Sequence, residues 1–424
     1  MNYTIDINQA IQLDKNDPLN GFRNQFFIAD ENTIYLDGNS LGRLPLATKK
    51  LVDKVVEKQW GTELIESWNK HWYNKSGELG DKIARLIGAS EGEVIVSDST
   101  SVNLFKLAHA ALKFQTGRTE VVSDVSNFPT DLYVLQGLCK DFGDEYKLVL
   151  AKSKNEIDIE DLKSKINEKT ALVVLSLVSF KSSFLYDIEE ITSYAQKKGA
   201  LILWDLSHAA GAVQVELNKN NADLAVGCTY KYLNGGPGSP AFLYVRKDLQ
   251  EKLFSPIQGW FGDAKPFAFD LNYEPAIGIR KFLTGTPPVI NQMAIEPGLD
   301  LLLEAGMGRI REKSVLLSEY FIFLVNKLLG TSGFEIGSPA DIQQRGSHVS
   351  VKHPEAYRIC QSLIQPKHSV LKIIPDFREP DNIRFGFTPL YTTFKEVWQT
   401  VNRIKEIIAN REFEDYPKEK KTVT

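Results

Sequence analysis

The sequence predicts an α/β fold: a large domain with a mostly parallel sheet between helices, then a smaller α+β C-terminal domain. Three observations carry this. From residue 76 to 226, short apolar runs alternate with helical stretches of about 10 to 15 residues, the pattern of a parallel sheet covered on both faces. Gly285-Thr286-Pro287-Pro288 then breaks the chain, and a different grammar follows. At 424 residues, 43% hydrophobic and 25% charged, the chain can bury a large core in two domains. The expected division is 1–70 for an N-terminal arm and helix, 71–288 for the large domain and 289–424 for the C-terminal domain.

In order, residues 1 to 30 are polar with scattered aromatics, an arm with a short helix. Ile34-Tyr35-Leu36 is a strand, and Asp37-Gly38-Asn39-Ser40-Leu41-Gly42 a loop whose glycines and asparagine tolerate positive φ. Pro45 suits a first helical turn, and Leu51, Val55 and Val56 mark one face of a long helix ending at Trp60, Trp68 and Trp72. Strands follow at Val94–Val96, 121–122, 148–150, 171–177, 200–203 and 224–226, with helices at 79–88, 102–114, 132–139, 159–167 and 188–198 between them. Beyond the break, residues 290 to 329 form one or two long helices. Strands at 348–351, 371–374 and 383–387 and helices at 355–363 and 394–410 complete the chain.

A net charge of −4 argues against nucleic acid as a partner, which needs clustered positive charge. The basic run Lys418, Lys420 and Lys421, interleaved with Glu419, reads as a solvated terminus. Cys139, Cys228 and Cys360 match no zinc or disulfide spacing, which fits a reducing compartment. Met1-Asn2-Tyr3-Thr4-Ile5-Asp6 lacks a signal-peptide pattern, and no run approaches the roughly 20 apolar residues of a membrane span. Cytoplasmic is the expectation, with no membrane partner. Neither G-x-G-x-x-G nor G-x-x-x-x-G-K-[ST] occurs. No metal is expected: His348 and His353 are isolated and read as ordinary polar positions.

The chemistry gathers at strand ends, where open α/β sheets bind ligands. The apolar run 224–226 leads to Tyr230-Lys231, and the chain breaks at Asn234-Gly235-Gly236-Pro237-Gly238. A lysine held near the interior can lose its proton, and a neutral amine forms a Schiff base with an aldehyde. Thr100-Ser101, between a strand and a helix, is either a phosphate site or a helix cap. In Asn127-Phe128-Pro129-Thr130-Asp131, Thr130 or Asp131 could cap a helix, while Phe128 is either core or a surface for a ring to stack on. Asp205, at the end of an apolar strand, needs a partner; His208 is one candidate and a protonated pyridine nitrogen a better one. Ser207 lies on no Gly-x-Ser-x-Gly elbow, which disfavours a serine hydrolase. A phosphate cradle, a stacking ring, a buried acid and a lysine are the four parts that hold pyridoxal 5′-phosphate.

The runs Tyr35-Leu36-Asp37-Gly38-Asn39-Ser40-Leu41-Gly42, Phe128-Pro129-Thr130-Asp131, Trp204-Asp205-Leu206-Ser207-His208 and Thr229-Tyr230-Lys231-Tyr232-Leu233-Asn234 resemble kynureninase. So do Gly259-Trp260 and Arg384 with Pro389-Leu390-Tyr391, in order from about residue 22 to 410. The resemblance implies a fold-type I pyridoxal-phosphate fold with a seven-stranded sheet. It also implies a homodimer that hydrolyses L-kynurenine, and 3-hydroxy-L-kynurenine, to the anthranilate and L-alanine. Carried over, it puts the cofactor on Lys231, with Asp205 at the ring nitrogen supported by His208, and Phe128 stacked on the ring. Thr100, Ser101, Pro129, Thr130, Asp131, Ser176 and Tyr230 complete the shell, Tyr230 as acid/base or phosphate ligand. Trp260 and Thr286 would come from the other subunit. Arg384 would hold the substrate α-carboxylate, near Ser40. Some relatives place asparagine at Thr286 and histidine at Thr62, by the aromatic end of the substrate. A cysteine desulfurase, the rival of the same fold, needs a mobile cysteine, whereas Cys360 sits at an apolar helical position.

Overall fold

The computed structural model describes residues 3–152 and 157–419; Met1, Asn2, Lys420 and Lys421 lie outside them. Its large sheet has seven strands. From one edge they run Val94–Val96, Phe242–Val245, Leu224–Gly227, Leu201–Asp205, Thr170–Ser176, Glu120–Asp124 and Lys147–Ala151. Phe242–Val245 runs antiparallel to both neighbours; the other pairings are parallel. The strands from Thr170 to Ser176, Leu201 to Asp205 and Leu224 to Gly227 are buried throughout, because helices cover both faces. Two apolar clusters, one per face, fill the space between.

The second sheet is antiparallel, in the order Asp376–Arg378, Asn382–Gly386, His348–Lys352 and Glu335–Ile336. Helices Met307–Leu328, Ala356–Ile364 and Phe394–Ala409 pack on it around a third core. The N-terminal helix Ile7–Lys15 belongs to this core, and the Asp14 carboxylate accepts from the Phe394 and Lys395 amides at 2.7 and 2.9 Å. Thr33–Tyr35 pairs in parallel with Lys372–Ile374, so the loop after it is fixed between the two sheets.

Several sequence readings need correction, among them the unforeseen strands Glu335–Ile336 and Asp376–Arg378 of the second sheet. Phe242–Val245 was not foreseen, and it is the antiparallel strand. The long helix after Pro45 is an α-helix only over Leu46–Lys54, then widens into π turns at Val55–Glu63 and Trp68–Trp72. Residues 290 to 329 hold three helices, Val289–Met293, Glu296–Ala305 and Met307–Leu328, the last two parted at Gly306 with φ of 80°. The strand expected at 200–203 runs Leu201–Asp205, with Asp205 as its last residue.

Candidate active site

Lys231 lies in a tight turn after Leu224–Gly227. Its carbonyl accepts from Asn234 N at 2.9 Å, and the Thr229 carbonyl from Gly235 N at 2.9 Å. The 37–42 loop presses on this turn, with Gly42 N donating to the Tyr230 carbonyl at 2.8 Å. A Cβ at Gly42 would sit 2.3 Å from the Lys231 carbonyl oxygen, so only glycine permits this approach. The half-buried Lys231 Nζ is 2.9 Å from His208 Nε2, while His208 Nδ1 has no partner. Burial, with the nearby charges of Lys231 and Arg384, holds His208 well below its ordinary pKa, so its imidazole is neutral.

Beneath the lysine are two carboxyl groups. Asp205 is buried and accepts from Ser207 N at 2.7 Å. Asp131 is buried against it, with Oδ2 unpartnered. Burial and the Asp205 charge push Asp131 well above the carboxylate range, and burial raises Asp205 as well. Two acids this close in a dry place share a proton unless a positive group lies between or above them. The orphaned Asp131 oxygen and His208 nitrogen therefore match a flat heteroaromatic ring that carries a protonated nitrogen and polar substituents.

Phe128 exposes 39% of its surface, lies 5.9 Å from Lys231 Nζ by its ring centre, and meets Phe180 edge-on at 5.3 Å. It is therefore not a core residue, and its ring is open to a ligand. Neither Thr130 nor Asp131 caps the helix Pro129–Phe142, whose N-cap is Phe128 and whose first residue is Pro129. Likewise the Ser99 hydroxyl, not Thr100 or Ser101, caps Thr100–Phe114 by accepting from Val102 N at 3.4 Å. The Thr100 and Ser101 hydroxyls stay free of that duty at a helix N-terminus. Ser176 Oγ is already engaged, donating to Asn127 Oδ1 at 2.7 Å. Tyr230 is half-buried 5.8 Å from Lys231 Nζ by its ring centre, and burial pushes its phenol up, so it stays protonated.

Arg384 arrives from the second sheet and is buried. Its fork donates to the Phe180 carbonyl, the Asp376 carboxylate and Ser40 Oγ, the last at 3.1 Å, leaving Nε unpartnered. Asp376 also meets Arg378 at 3.0 Å. Burial and Asp376 push the Asp37 carboxyl up to about 7. Trp260 and Thr286 make no hydrogen bond to this group among the described residues; both lie at the protein surface.

Sequence reasoning missed Asp376 and His348. His348, read as an ordinary polar position, is buried with both nitrogens unpartnered, its ring centre 5.7 Å from that of His208. It pairs with Gly386 while Ser350 pairs with Arg384, so the strand's period of two puts His348 and Ser350 on one face. That spacing was a signal in the sequence. Cys139, Cys228 and Cys360 are all buried, and Cys360 lies in the C-terminal core. Among the described residues no cluster of side chains could hold a metal, and no helix is long and apolar enough to cross a membrane.

The chain is similar to known proteins along most of its length. A family described as the kynureninase C-terminal domain matches residues 310–404. The kynureninase of Pseudomonas fluorescens is 44% identical over 409 residues, covering 95% of this chain and 96% of that protein. The kynureninase of Burkholderia pseudomallei strain K96243 is 43% identical over 405 residues, 94% of this chain and 95% of that one. Among solved structures, a cysteine desulfurase from Thermococcus onnurineus superimposes with a TM-score of 0.75 at 21% identity, over 94% of this chain and 98% of that chain. This last likeness is one of fold.

Proposed function

The chain belongs to the kynureninase family, and on that premise we propose how its residues divide the hydrolysis of L-kynurenine to anthranilate and L-alanine. The cofactor of the family is pyridoxal 5′-phosphate. Bound through Lys231, it supplies an electron sink for the bonds that break at Cα and Cβ of the substrate. Lys231 would hold it covalently, Asp205 and Asp131 would meet the ring nitrogen, Phe128 would cover one face, and Thr100, Ser101 and Thr130 would meet the phosphate.

The reading rests on one observation: Arg384 and Lys231 reach a shared wall from different sheets, joined by the 37–42 loop. Ser40 in that loop meets Arg384 at 3.1 Å, and Gly42 meets the Tyr230 carbonyl at 2.8 Å. Arg384 holds the α-carboxylate with its planar fork, which orients the amino acid over Lys231. Lys231 Nζ, freed, takes the Cα proton; the neutral His208 at 2.9 Å accepts a hydrogen bond from Nζ without competing charge. Tyr230, with its raised pKa, serves as a donor near Lys231 rather than as a base. A desulfurase reading lacks its nucleophile, since all three cysteines are buried.

Trp260 and Thr286 complete the site of a second copy in a homodimer. Support comes from the exposed apolar surface beside Trp260: Phe267, Phe269, Leu271 and Ile277 expose 59, 77, 102 and 89% of their area. The protein acts in the cytoplasm; its three unpaired cysteines support a reducing compartment. Its reach extends to 3-hydroxy-L-kynurenine as in the family resemblance, with the departures at Thr62 and Thr286 falling where the two substrates differ. Purified protein should turn L-kynurenine into fluorescent anthranilate, and comparing kcat/KM for the two kynurenines settles the preference. Sulfide from cysteine without anthranilate from kynurenine would overturn the assignment.

A pH dependence follows from Asp37, which faces Asp376, Arg384, Arg378 and Ser40. Below its raised pKa of about 7 it is neutral; above, its charge opposes an incoming carboxylate. KM for kynurenine should therefore rise as pH passes through about 7, and Asp37→Asn should flatten that rise. An equal rise in the variant would assign it to another group.

A further inference from the structure

Lys106 is a fully buried cation that the reaction does not use, and its three contacts join segments far apart in the chain. Its Nζ donates to Asp98 Oδ2 at 2.7 Å, to the Phe282 carbonyl at 2.7 Å and to Ser97 Oγ at 3.3 Å. A buried ammonium is retained only where such partners replace its water. Asp98 in turn accepts from Thr284 Oγ1 at 3.1 Å and from Ser97 Oγ at 2.7 Å. Burial pushes the Asp98 carboxyl up, but the Lys106 charge with the hydrogen bonds from Lys106, Ser97 and Thr284 together brings it below its ordinary range, while burial lowers the Lys106 ammonium.

Asp98 has φ of 45°, a conformation that costs a non-glycine residue energy and persists where surrounding bonds over-determine it. This turn delivers Thr100 and Ser101 to the head of Thr100–Phe114. On the other side, the Thr284 carbonyl accepts from Phe261 N at 3.1 Å. A Cβ at Gly259 would lie 2.2 Å from that same oxygen, so the Trp260 segment is pressed onto Thr284. Thr286 follows two residues later.

We propose that Lys106, through Asp98 and Thr284, is a positioning residue for phosphate binding that ties the Thr100–Ser101 cradle of one site to the Trp260 and Thr286 segments lent to the partner's site. This rests on the cofactor and dimer reading above. Its consequence is selective: loosening the clamp weakens the grip on the phosphate and leaves the grip on the ring, which Lys231, Asp205 and Phe128 supply.

The test compares pyridoxal 5′-phosphate with pyridoxal, which lacks the phosphate, by titrating cofactor-stripped protein and following visible absorbance. Wild type should bind the phosphorylated form far more tightly. Lys106→Met should raise Kd for pyridoxal 5′-phosphate at least about tenfold and leave Kd for pyridoxal within about twofold. Thr284→Val keeps the Lys106–Asp98 pair and so should fold even if Lys106→Met does not. It should show a smaller shift in the same direction. Equal loss for both ligands in the folded variants, or no loss for either, overturns the proposal and leaves Lys106 a stabilising ion pair only. If wild type itself fails to prefer the phosphorylated form, the cradle reading is at fault instead, and the proposal falls with it.

Discussion

Replacing Lys231 with alanine should remove the visible absorbance of the lysine-bound cofactor and lower kcat by on the order of 10⁴ or more. The size follows from the two duties on one atom. Nζ is the covalent tether, and it is the base for the Cα proton, so nothing remains to take over either. The fold should survive. The side chain is half-buried, and the one hydrogen bond it makes among the described residues is to His208 at 2.9 Å. The turn itself is held by backbone bonds, from Asn234 N to the Lys231 carbonyl and from Gly235 N to the Thr229 carbonyl. Persistence of the absorbance band in a folded Lys231→Ala protein would sink the assignment.

The second large effect is on KM. Arg384→Ala should raise KM for kynurenine by about 30- to 1,000-fold, the equivalent of about 2 to 4 kcal/mol for a buried, hydrogen-bonded charge pair that loses one partner. The cofactor absorbance should be retained, because Arg384 touches Ser40, Phe180 and Asp376 rather than Lys231. Truncation also removes one of the ion pairs of the buried Asp376 while that with Arg378 at 3.0 Å stays, so some stability will be lost. Arg384→Lys separates the two consequences: it keeps a charge for Asp376 and loses the planar fork, and should raise KM by an intermediate factor. An unchanged KM in both variants would remove Arg384 from the substrate site.

Much of the sheet was legible because each parallel strand is an apolar run closed by polar residues at its carboxyl end. Asp205 and Lys231 were found by that punctuation, whereas Ser176 came from the family resemblance alone. Phe242–Val245 escaped it: a Gly/Pro-rich turn precedes it instead of a helix, and its direction depends on two neighbours rather than on its own residues. Whether Thr100 or Ser99 caps a helix is likewise a matter of a single φ/ψ step, invisible in a run of hydroxyl residues. Arg384 acquires meaning from Ser40, 344 positions away, and from Asp376 across a strand pair; neither spacing is periodic. Lys106 reads as an ordinary helical lysine until the fold closes Phe282 and Asp98 over it.

The central claim, that Lys231 carries the cofactor, is tested most directly by reducing the holoenzyme with borohydride, which fixes the cofactor to its lysine, and mapping the modified peptide by mass spectrometry. One pyridoxyl-phosphate per chain is expected, on Lys231. Modification at another lysine, the buried Lys106 included, or none at all, would contradict it.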